Sequence, residues 1–397
     1  MNPWNRLARN RLSPNASPPS HVVFAGGVTG GHVFPALALA RPLLERASVR
    51  MTFLGTGRIR ERQWLRRERI EYVTIPSAAM SVSLGGFFLS APKNLRGFAA
   101  ALRFLREERA DVVVGLGGYA SAPSARAAIT AGIPLILIEA NARPGRANRW
   151  LAKGAACVCT AFESTGGAFS KAATVFHTGL PIRSIPKERC LGVDRRIVVL
   201  GGSGGAGGIN EIVPKALFRA RSLLGGWRIT HQSGADQLAP TKRLYARLGL
   251  DADVHPFLVD LPRVLGESTL AISRAGGSTL AELAAAELPG VLIPFPDSAG
   301  NHQRHNAADF ARRTGCPVVD EKEPGRRADA LLAEELVSLV SDANRRETIS
   351  HLLRGFARPL AAQAIAELIL GRGVPAAVDS PTVPAGSARP AVPNAKK

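Results

Sequence analysis

The sequence predicts an α/β fold with two Rossmann-like domains, each built on a parallel sheet. Short β-branched runs alternate with longer amphipathic stretches, which is the pattern of βαβ units. Each half of the chain begins with a buried strand that leads into a glycine-rich turn and then a helix. The length of 397 residues suits two domains. These three observations together define the fold class.

The predicted strands are the short runs rich in Val, Ile and Leu. In the first half they are His21–Ala25, Val49–Leu54, Asp111–Gly115 and Pro134–Ile138. In the second half they are Arg196–Leu200, Trp227–His231, Val254–Phe257, Thr269–Ser273 and Gly290–Pro294. The first helix of each half is predicted to begin near Phe34 and near Ile209.

The boundary between the domains is predicted at Gly179–Lys187, where two prolines interrupt the periodicity. The N-terminal tail is basic and lacks an apolar segment, and the C-terminal tail is rich in proline, so we expect both to be disordered. No apolar run is long enough to span a bilayer. The predicted N-terminal tail is 1–20 and the predicted C-terminal tail is 373–397. Between them, the first domain is predicted at 21–185 and the second at 186–372.

Charge points to an anionic partner. The chain has 51 Lys and Arg against 31 Asp and Glu, a net charge of +20. Residues 21–185 hold 21 basic and 9 acidic residues, so most of the excess lies in the first domain. Phosphates, nucleic acid or an anionic membrane would suit this charge, but no nucleic-acid motif is present. The four cysteines show no CxxC pair, which predicts free thiols and a cytosolic protein.

Residues 80–91 combine glycines with large apolar side chains, and a helix with basic residues is predicted to follow. An apolar loop beside cations is how a peripheral protein binds an anionic bilayer. The alternative is that the loop covers the core. The predicted membrane-binding residues are Leu84, Phe87, Phe88, Leu89, Lys93 and Arg96.

Two glycine turns of the first domain predict a substrate site. The first turn ends at His32, at the carboxyl edge of the sheet, where ligands of open α/β sheets bind. A histidine there can accept a proton near neutral pH, although His32 could also simply cap a helix. The second turn follows Asp111–Gly115 on the same edge and is expected to approach a bulky polar substrate. Its candidate residues are Gly117, Gly118, Tyr119 and Ser121.

The second half contains a GxGxxG sequence within 201–208. A dinucleotide site would need an acidic residue about 20 positions on, and the next strand ends in His231-Gln232-Ser233 instead. We therefore expect the turn to bind another phosphate ligand at a helix N-terminus, assisted by Ser203. Further on, Ser278 is a candidate N-cap, and Glu282 either binds a ribose diol or favours the helix dipole. The pair Asp251 and Asp253 is interpreted as a solvated turn, so no metal site is predicted.

Seven segments together resemble, in order and spacing, the MurG family of peptidoglycan synthesis. They are GGVTGGHVFPALALA, VVVGLGGYASAP, EAN, GLPIR, GGSGGAGGIN, RAGGSTLAE and NHQRHNA. The resemblance implies a GT-B fold, in which two Rossmann-like domains face each other across a cleft. It implies an inverting, metal-independent transfer of N-acetylglucosamine (GlcNAc) from UDP-GlcNAc to undecaprenyl-diphospho-MurNAc-pentapeptide (lipid I), giving lipid II. No cofactor is implied, and the protein is expected to be peripheral, on the cytoplasmic face of the inner membrane.

The resemblance also assigns residues. His32 occupies the place of the proposed general base, and the loop with its basic flank falls at the family's membrane patch. The residues matching donor-binding positions are Thr29, Gly30, Gly31, Asn141, Arg183, Ser203, Leu258, Thr279, Leu280, Glu282 and Gln303. The resemblance implies that Asn141 contacts GlcNAc, that Gln303 contacts the sugar hydroxyls, and that Arg183 and Ser203 lie near the diphosphate. It also implies that the main-chain amide of Leu258 contacts uracil and that Glu282 holds the ribose.

The sequence departs from the family pattern around the cleft. Val28 is an additional residue in the first turn, and the other departures are Ile138, Ala140, Leu180 and Gly204. One alternative is a diacylglycerol glycosyltransferase of the same fold. It would share the donor-binding half and the basic face, so only its acceptor would distinguish it from an enzyme that acts on lipid I. A second alternative, motivated by these departures, is an inactive membrane-associated scaffold.

Overall fold

The structure is a computed structural model that describes residues 18–27, 30–79, 84–170, 173–186, 195–202 and 207–371. Within helices it omits the side chains of residue 60 and residues 84–89. The predicted tails fall outside these ranges, apart from residues 18–20. There Ser20 donates a hydrogen bond to the Asp111 carboxylate through its backbone amide and another through its hydroxyl, both 2.8 Å long.

The first domain contains a parallel sheet of seven strands. Their order across the sheet is β3-β2-β1-β4-β5-β6-β7. Strands β1 to β3 are added towards one edge and strands β4 to β7 towards the other, so the order reverses between the parallel neighbours β1 and β4. Such a switch point is where ligands bind in open α/β sheets. The strands are β1 (His21–Ala25), β2 (Arg50–Gly55), β3 (Glu71–Thr74), β4 (Val112–Gly115), β5 (Leu135–Glu139), β6 (Cys157–Thr160) and β7 (Val175–Phe176).

Helices cover both faces of this sheet. Val22 and Phe24 belong to the same core as the apolar residues of the first helix, whereas Val23 and Ala25 belong to the core on the opposite face. Burial on both faces explains why β1 is continuously apolar. The helices are α1 (Gly30–Arg46), α2 (Ile59–Arg67), α3 (Leu84–Glu107), α4 (Gly118–Ala131) and α5 (Arg146–Leu151), followed by a 3₁₀ helix at Glu163–Ala168.

The second domain contains a parallel sheet of five strands in the order β10-β9-β8-β11-β12. The strands are β8 (Arg195–Leu200), β9 (Trp227–Gln232), β10 (Asp253–His255), β11 (Leu270–Ser273) and β12 (Gly290–Leu292). The helices are α6 (Gly207–Arg219), α7 (Leu238–Arg247), α8 (Leu261–Gly266), α9 (Gly277–Ala285), α10 (His302–Thr314), α11 (Ala328–Ser341), α12 (Ala343–Phe356) and α13 (Ala361–Ile369). Short 3₁₀ helices lie at Arg221–Leu223 and Ala299–Asn301. In the described ranges, no helix is long and apolar enough to cross a bilayer.

The most extensive helix packing of the last helix is with the first domain. α13 lies within the range that the sequence assigns to the second domain, but it packs against α1 of the first. An ion pair of 2.6 Å between Arg46 Nε and the Glu367 carboxylate joins the two helices. The chain therefore crosses between the domains a second time.

Three expectations about local structure were wrong. α1 begins at Gly30, about one turn before the predicted start near Phe34, because Gly30 and Gly31 already adopt helical backbone. α6 begins at Gly207, two residues before the predicted start near Ile209. The predicted loop around residues 84–89 is the first part of α3, which continues through its two glycines. Ser278 is not an N-cap, since α9 begins at Gly277 with Gly276 at the cap.

Three strands were not predicted. β3 lies at one edge of its sheet and exposes Glu71, and β7 is only two residues long at the other edge. β6 is a short run around two cysteines, Cys157 and Cys159, which are buried free thiols. Short edge strands lack the alternating or continuous apolar pattern that marks a central strand.

A buried polar network joins β9 to α6 in the second domain. His231 is fully buried, and its Nε2 donates to Asn210 Oδ1 at 2.9 Å while its Nδ1 accepts from the Tyr245 hydroxyl at 2.9 Å. Asn210 in turn donates to the Ser233 carbonyl. Burial lowers the pKa of His231 to about 3. The neutral ring thus fixes the first turn of α6 relative to the sheet.

Replacing His231 with Gln should change how stability depends on pH. In the unfolded chain a histidine protonates near pH 6.5, whereas His231 in the fold stays neutral down to about pH 3. The unfolded state therefore binds more protons between these values, and lowering the pH destabilises the fold. From pH 7.5 to 5.0 we expect the wild type to lose about 2 kcal/mol more unfolding free energy than His231→Gln, measured by urea unfolding and circular dichroism. Equal losses for the two proteins would contradict this role.

Candidate active site

The residues predicted to bind substrate or to catalyse its reaction lie in loops that follow the carboxyl ends of the strands in both sheets. In the first domain His32, Gly118 and Asn141 follow β1, β4 and β5. In the second domain Gly202 and Glu282 follow β8 and β11. The two edges face each other, and side chains from the two domains meet between them. The predicted cleft is therefore formed by the loops that carry the predicted residues.

His32 lies in the first turn of α1 and is half-buried. Its Nδ1 is 2.8 Å from the Gly27 carbonyl. A carbonyl only accepts, so Nδ1 carries the proton of the neutral ring and Nε2 has the lone pair. Burial lowers the pKa of His32, while the hydrogen bond to Gly27 and the nearby Glu61 carboxylate oppose that shift. The ring is therefore neutral at pH 7, as a proton acceptor must be.

The second glycine turn lies against the His32 ring. Gly118 has a φ of +72°, and a Cβ there would lie 2.9 Å from His32 Cε1, so only glycine allows this approach. Tyr119 is exposed at the start of α4. Ser121 is buried and donates to the Gly118 carbonyl, which is a structural role. Gly117, also at positive φ, completes the turn.

Glu139 is a buried carboxylate that organises the third loop of the first domain. One of its oxygens accepts from the backbone amide and the Nδ2 group of Asn141, at 3.0 and 2.9 Å. The other accepts from the Gly145 amide and from Asn148 Nδ2, both at 2.9 Å. The predicted site did not include Glu139, although it is the first residue of the EAN segment. Its four hydrogen bonds fix the orientation of the Asn141 carboxamide.

Asn306 of α10 connects the two domains through one fully buried carboxamide. Its Oδ1 accepts from the Ala142 amide at 2.8 Å, and its Nδ2 donates to Asn141 Oδ1 at 3.1 Å. The same Nδ2 donates to the Ala275 carbonyl of its own domain at 3.1 Å. Sequence reasoning missed Asn306, which appeared only as one letter of the NHQRHNA segment. It is the polar group that couples the predicted sugar-binding Asn141 to the second domain.

The two domains approach most closely beside this carboxamide. Gly277, at the start of α9, lies so near the Ala140 carbonyl that a Cβ on the glycine would be 2.0 Å from that oxygen. Any side chain at position 277 would push the domains apart. Gly277, the second glycine of RAGGSTLAE, is therefore required by the contact between the domains.

Arg183 and Glu282 meet at the other end of the cleft. Arg183 Nη2 lies 3.3 Å from a Glu282 carboxylate oxygen, and both side chains are largely buried. Burial raises the pKa of Glu282, while the Arg183 guanidinium opposes that change. The family resemblance implies that Arg183 lies near a diphosphate and that Glu282 holds a ribose. Here the arginine contacts the ribose-binding candidate directly.

Gln303 is held in a fixed orientation at the N-terminus of α10. Its Oε1 accepts from the backbone amides of Ala275 and Phe295, at 3.1 and 2.9 Å. Its Nε2 is therefore the group available for donation to a sugar hydroxyl. Leu280 is fully buried, and its backbone amide donates to the Gly276 carbonyl at 3.0 Å, whereas Thr279 is half-buried. Both remain candidates for binding the sugar nucleotide.

The main-chain amide of Leu258 has a partner inside the protein. It donates to Gln232 Oε1 at 3.1 Å, and Gln232 Nε2 donates to the Gly202 carbonyl at 3.1 Å. Gln232 thus links the glycine turn after β8 to the loop after β10. The predicted uracil contact by the Leu258 amide would have to replace the bond to Gln232.

A buried ion pair supports the edge of the second sheet. Arg274 follows β11 and is 2.6 Å from the Glu321 carboxylate. Arg274 also donates to the Ile293 carbonyl at 3.1 Å. A Cβ on Gly208 would lie 2.6 Å from Glu321, so the carboxylate contacts the first turn of α6. Sequence reasoning did not select either residue, although Arg274 is the first residue of RAGGSTLAE.

Some of the predicted site residues lie outside the residues that the structure describes. Thr29 and Ser203 lie outside the described residues, and nothing is described of the side chains of Leu84, Phe87, Phe88 and Leu89. Gly30 and Gly31 form the first residues of α1 beside His32. Lys93 and Arg96 are exposed on α3.

The chain belongs to glycosyltransferase family 28. The N-terminal domain of that family matches residues 22–160, and its C-terminal domain matches residues 196–364. The crystal structure of Acinetobacter baumannii MurG has a TM-score of 0.68 with this structure at 29% identity, covering 88% of this chain and 99% of that one. These matches confirm the family resemblance and the GT-B fold.

Two relatives are similar over nearly their whole length. Both are named UDP-N-acetylglucosamine--N-acetylmuramyl-(pentapeptide) pyrophosphoryl-undecaprenol N-acetylglucosamine transferase. The protein of Methylococcus capsulatus is 40% identical over 368 residues, covering 88% of this chain and 97% of the relative. The protein of Syntrophotalea carbinolica is 38% identical over 338 residues, covering 83% and 92%.

Replacing Asn306 with Asp should open the interface between the domains. The variant keeps an acceptor for the Ala142 amide, but it turns the donations to Asn141 and to the Ala275 carbonyl into oxygen–oxygen contacts. Losing the two bonds and burying a charge should cost about 1–3 kcal/mol or more. We expect a larger radius of gyration by small-angle X-ray scattering. The matched control is Asn344→Asp, an exposed position on α12. Equal radii for both variants and the wild type would contradict the assignment.

Proposed function

We propose that the protein is an inverting glycosyltransferase of peptidoglycan synthesis. It transfers GlcNAc from UDP-GlcNAc to the C4 hydroxyl of undecaprenyl-diphospho-MurNAc-pentapeptide. The observation that carries this proposal is the similarity, over nearly the full length, to relatives named for this transfer. The geometry of His32, Gln303 and Glu282 around one cleft supports it.

His32 has the properties of the general base. Its Nε2 takes the proton of the acceptor hydroxyl as that oxygen attacks the anomeric carbon of the donor. A bond forms between these two atoms, and the bond from the anomeric carbon to the UDP oxygen breaks, so the configuration inverts. Because burial lowers the pKa of His32, the base is unprotonated at neutral pH.

The second domain supplies the donor site. Glu282 would accept hydrogen bonds from the ribose diol, and Gln303 Nε2 would donate to a sugar hydroxyl. The diphosphate gains negative charge as the bond breaks, and the N-terminus of α6 at Gly207 favours an anion there. Stabilising charge that develops during the reaction is what lowers the barrier.

An assay of the purified protein tests this function. It contains UDP-GlcNAc with a short-chain undecaprenyl-diphospho-MurNAc-pentapeptide analogue, and in a parallel sample diacylglycerol. We expect UDP release and disaccharide formation with the first acceptor only. Transfer to diacylglycerol would favour the related lipid glycosyltransferase. UDP binding without transfer to either acceptor would favour an inactive scaffold.

The base assignment is tested in the same assay with His32→Asn. A base must be unprotonated, so kcat/KM of the wild type should fall as the pH drops through the His32 pKa, which lies below 6.5. The variant should lose roughly 100-fold to 10,000-fold in kcat and lose that acidic limb. His351→Asn, at an exposed histidine of α12, is the control and should behave as wild type. A variant that keeps the rate and the pH profile would rule out His32 as the base.

We also propose that the first domain binds the cytoplasmic face of the membrane through α3. Lys93 and Arg96 are exposed there, and Leu95 between them is 67% exposed. Arg103 and Arg106 continue the exposed basic side of the helix. Apolar and basic groups together are what an anionic lipid surface attracts.

Neutralising this side of α3 should weaken membrane binding. Each basic residue near an anionic surface contributes about 1 kcal/mol, so Lys93→Gln with Arg96→Gln should reduce partitioning roughly 30-fold. The measurement is co-sedimentation with vesicles containing anionic phospholipid. Lys242→Gln with Arg243→Gln, at exposed positions of α7, removes the same charge from the second domain as a control. Equal weakening by both pairs would indicate attraction by net charge alone.

A further inference from the structure

An aromatic contact joins the domains at a distance from Asn306. Trp64 of α2 stacks on Phe257, in the loop after β10, with ring centroids 5.5 Å apart and an angle of 26° between the planes. Trp64 also contacts Phe34 of α1, with centroids 5.1 Å apart. All three rings are half-buried. Two aromatic residues of the first domain thus support a loop of the second.

The contact continues to Glu282 through Arg183. The Arg183 guanidinium carbon lies 4.3 Å from the centre of the Phe34 ring, a cation–π geometry. Its Nη1 donates to the Val259 carbonyl at 3.5 Å, and its Nη2 donates to Glu282. Val259 is two residues after Phe257, so these contacts form a closed circuit. It leads from Phe257 through Trp64, Phe34 and Arg183 back to Val259 in the same loop, and it includes residues of both domains.

These contacts involve or flank the residues assigned to the nucleoside half of the donor. Leu258 lies between Phe257 and Val259, and its backbone is the predicted uracil contact. Glu282 is the predicted ribose contact. The second domain supplies both, but the aromatic rings that support them come from the first. Nucleoside binding in the second domain is therefore coupled to the position of the first.

We propose that Trp64 is a positioning residue for uridine binding, an inference that rests on the proposed function. It holds the 257–259 loop by stacking on Phe257, and through Phe34 it holds Arg183 against Glu282. Trp64 itself need not touch the nucleotide. Its removal should weaken recognition of the nucleoside and leave the chemical step unchanged.

The test compares Trp64→Leu with Trp64→Phe in the full-length protein. Leu keeps an apolar side chain but removes the ring face, whereas Phe keeps a ring that can stack. By titration calorimetry we expect Trp64→Leu to bind UDP and UMP roughly tenfold more weakly, with pyrophosphate binding unchanged. Trp64→Phe should recover binding to within about threefold. In the transfer assay KM for UDP-GlcNAc should rise tenfold while kcat changes by less than twofold.

The matched control is Trp150→Leu, which makes the same change at a tryptophan of α5 that is 58% exposed. It should bind UDP as the wild type does. Wild-type affinity in Trp64→Leu would overturn this inference alone. Equal losses for UMP and pyrophosphate, or no recovery with Phe, would also overturn it, because they indicate general damage to the fold. A wild-type protein that binds no UDP would overturn the proposed function as well.

Discussion

The buried carboxamide of Asn306 is the contact on which the geometry of the cleft depends. Its partners come from both domains, and it is fully buried, so water cannot replace any of them. An unsatisfied buried polar group is costly, and the domains therefore adopt the relative position that satisfies all its bonds. That position brings Gly277 against the Ala140 carbonyl and sets where Asn141 faces the second domain. The spacing of the loops follows from this one side chain.

Buried charges stabilise the loops on each side of the cleft. Glu139 accepts four hydrogen bonds from its own domain, so the Asn141 carboxamide has a single orientation. Arg274 and Glu321 form the corresponding pair at the edge of the second sheet and contact the start of α6 at Gly208. A site that must stabilise developing charge works best when its polar groups are already oriented, because little reorganisation is then needed. Glu139 and the Arg274–Glu321 pair are oriented in this way by protein partners.

The sequence predicts the central strands well because their pattern is local. β1 matches its predicted range, since a strand buried on both faces is continuously apolar. Edge strands such as β7 were missed because few of their residues are buried. The loop predicted at 84–89 is helical because the two glycines do not outweigh the rest of α3. The positions of His32 and Glu282 beside the cleft could be predicted, because each follows a strand. Asn306 and Trp64 could not, because their roles depend on residues far away in the chain.

Contacts between the domains differ in kind on the two sides of the cleft. On the side of the hinge they are apolar: Phe162 packs against Phe356 with centroids 5.7 Å apart, and α13 packs on α1. Near Asn306 they are polar, with His302 and His305 contacting Arg143. Water replaces polar partners on separation but does not compensate exposed apolar surface, so these polar contacts separate at lower cost than the apolar ones. A glycosyltransferase must admit a nucleotide sugar and release UDP in every cycle. The polar contacts of Arg143 are therefore the ones whose loss in such a cycle would cost least, whereas the packing of α13 on α1 and of Phe162 on Phe356 keeps the domains together.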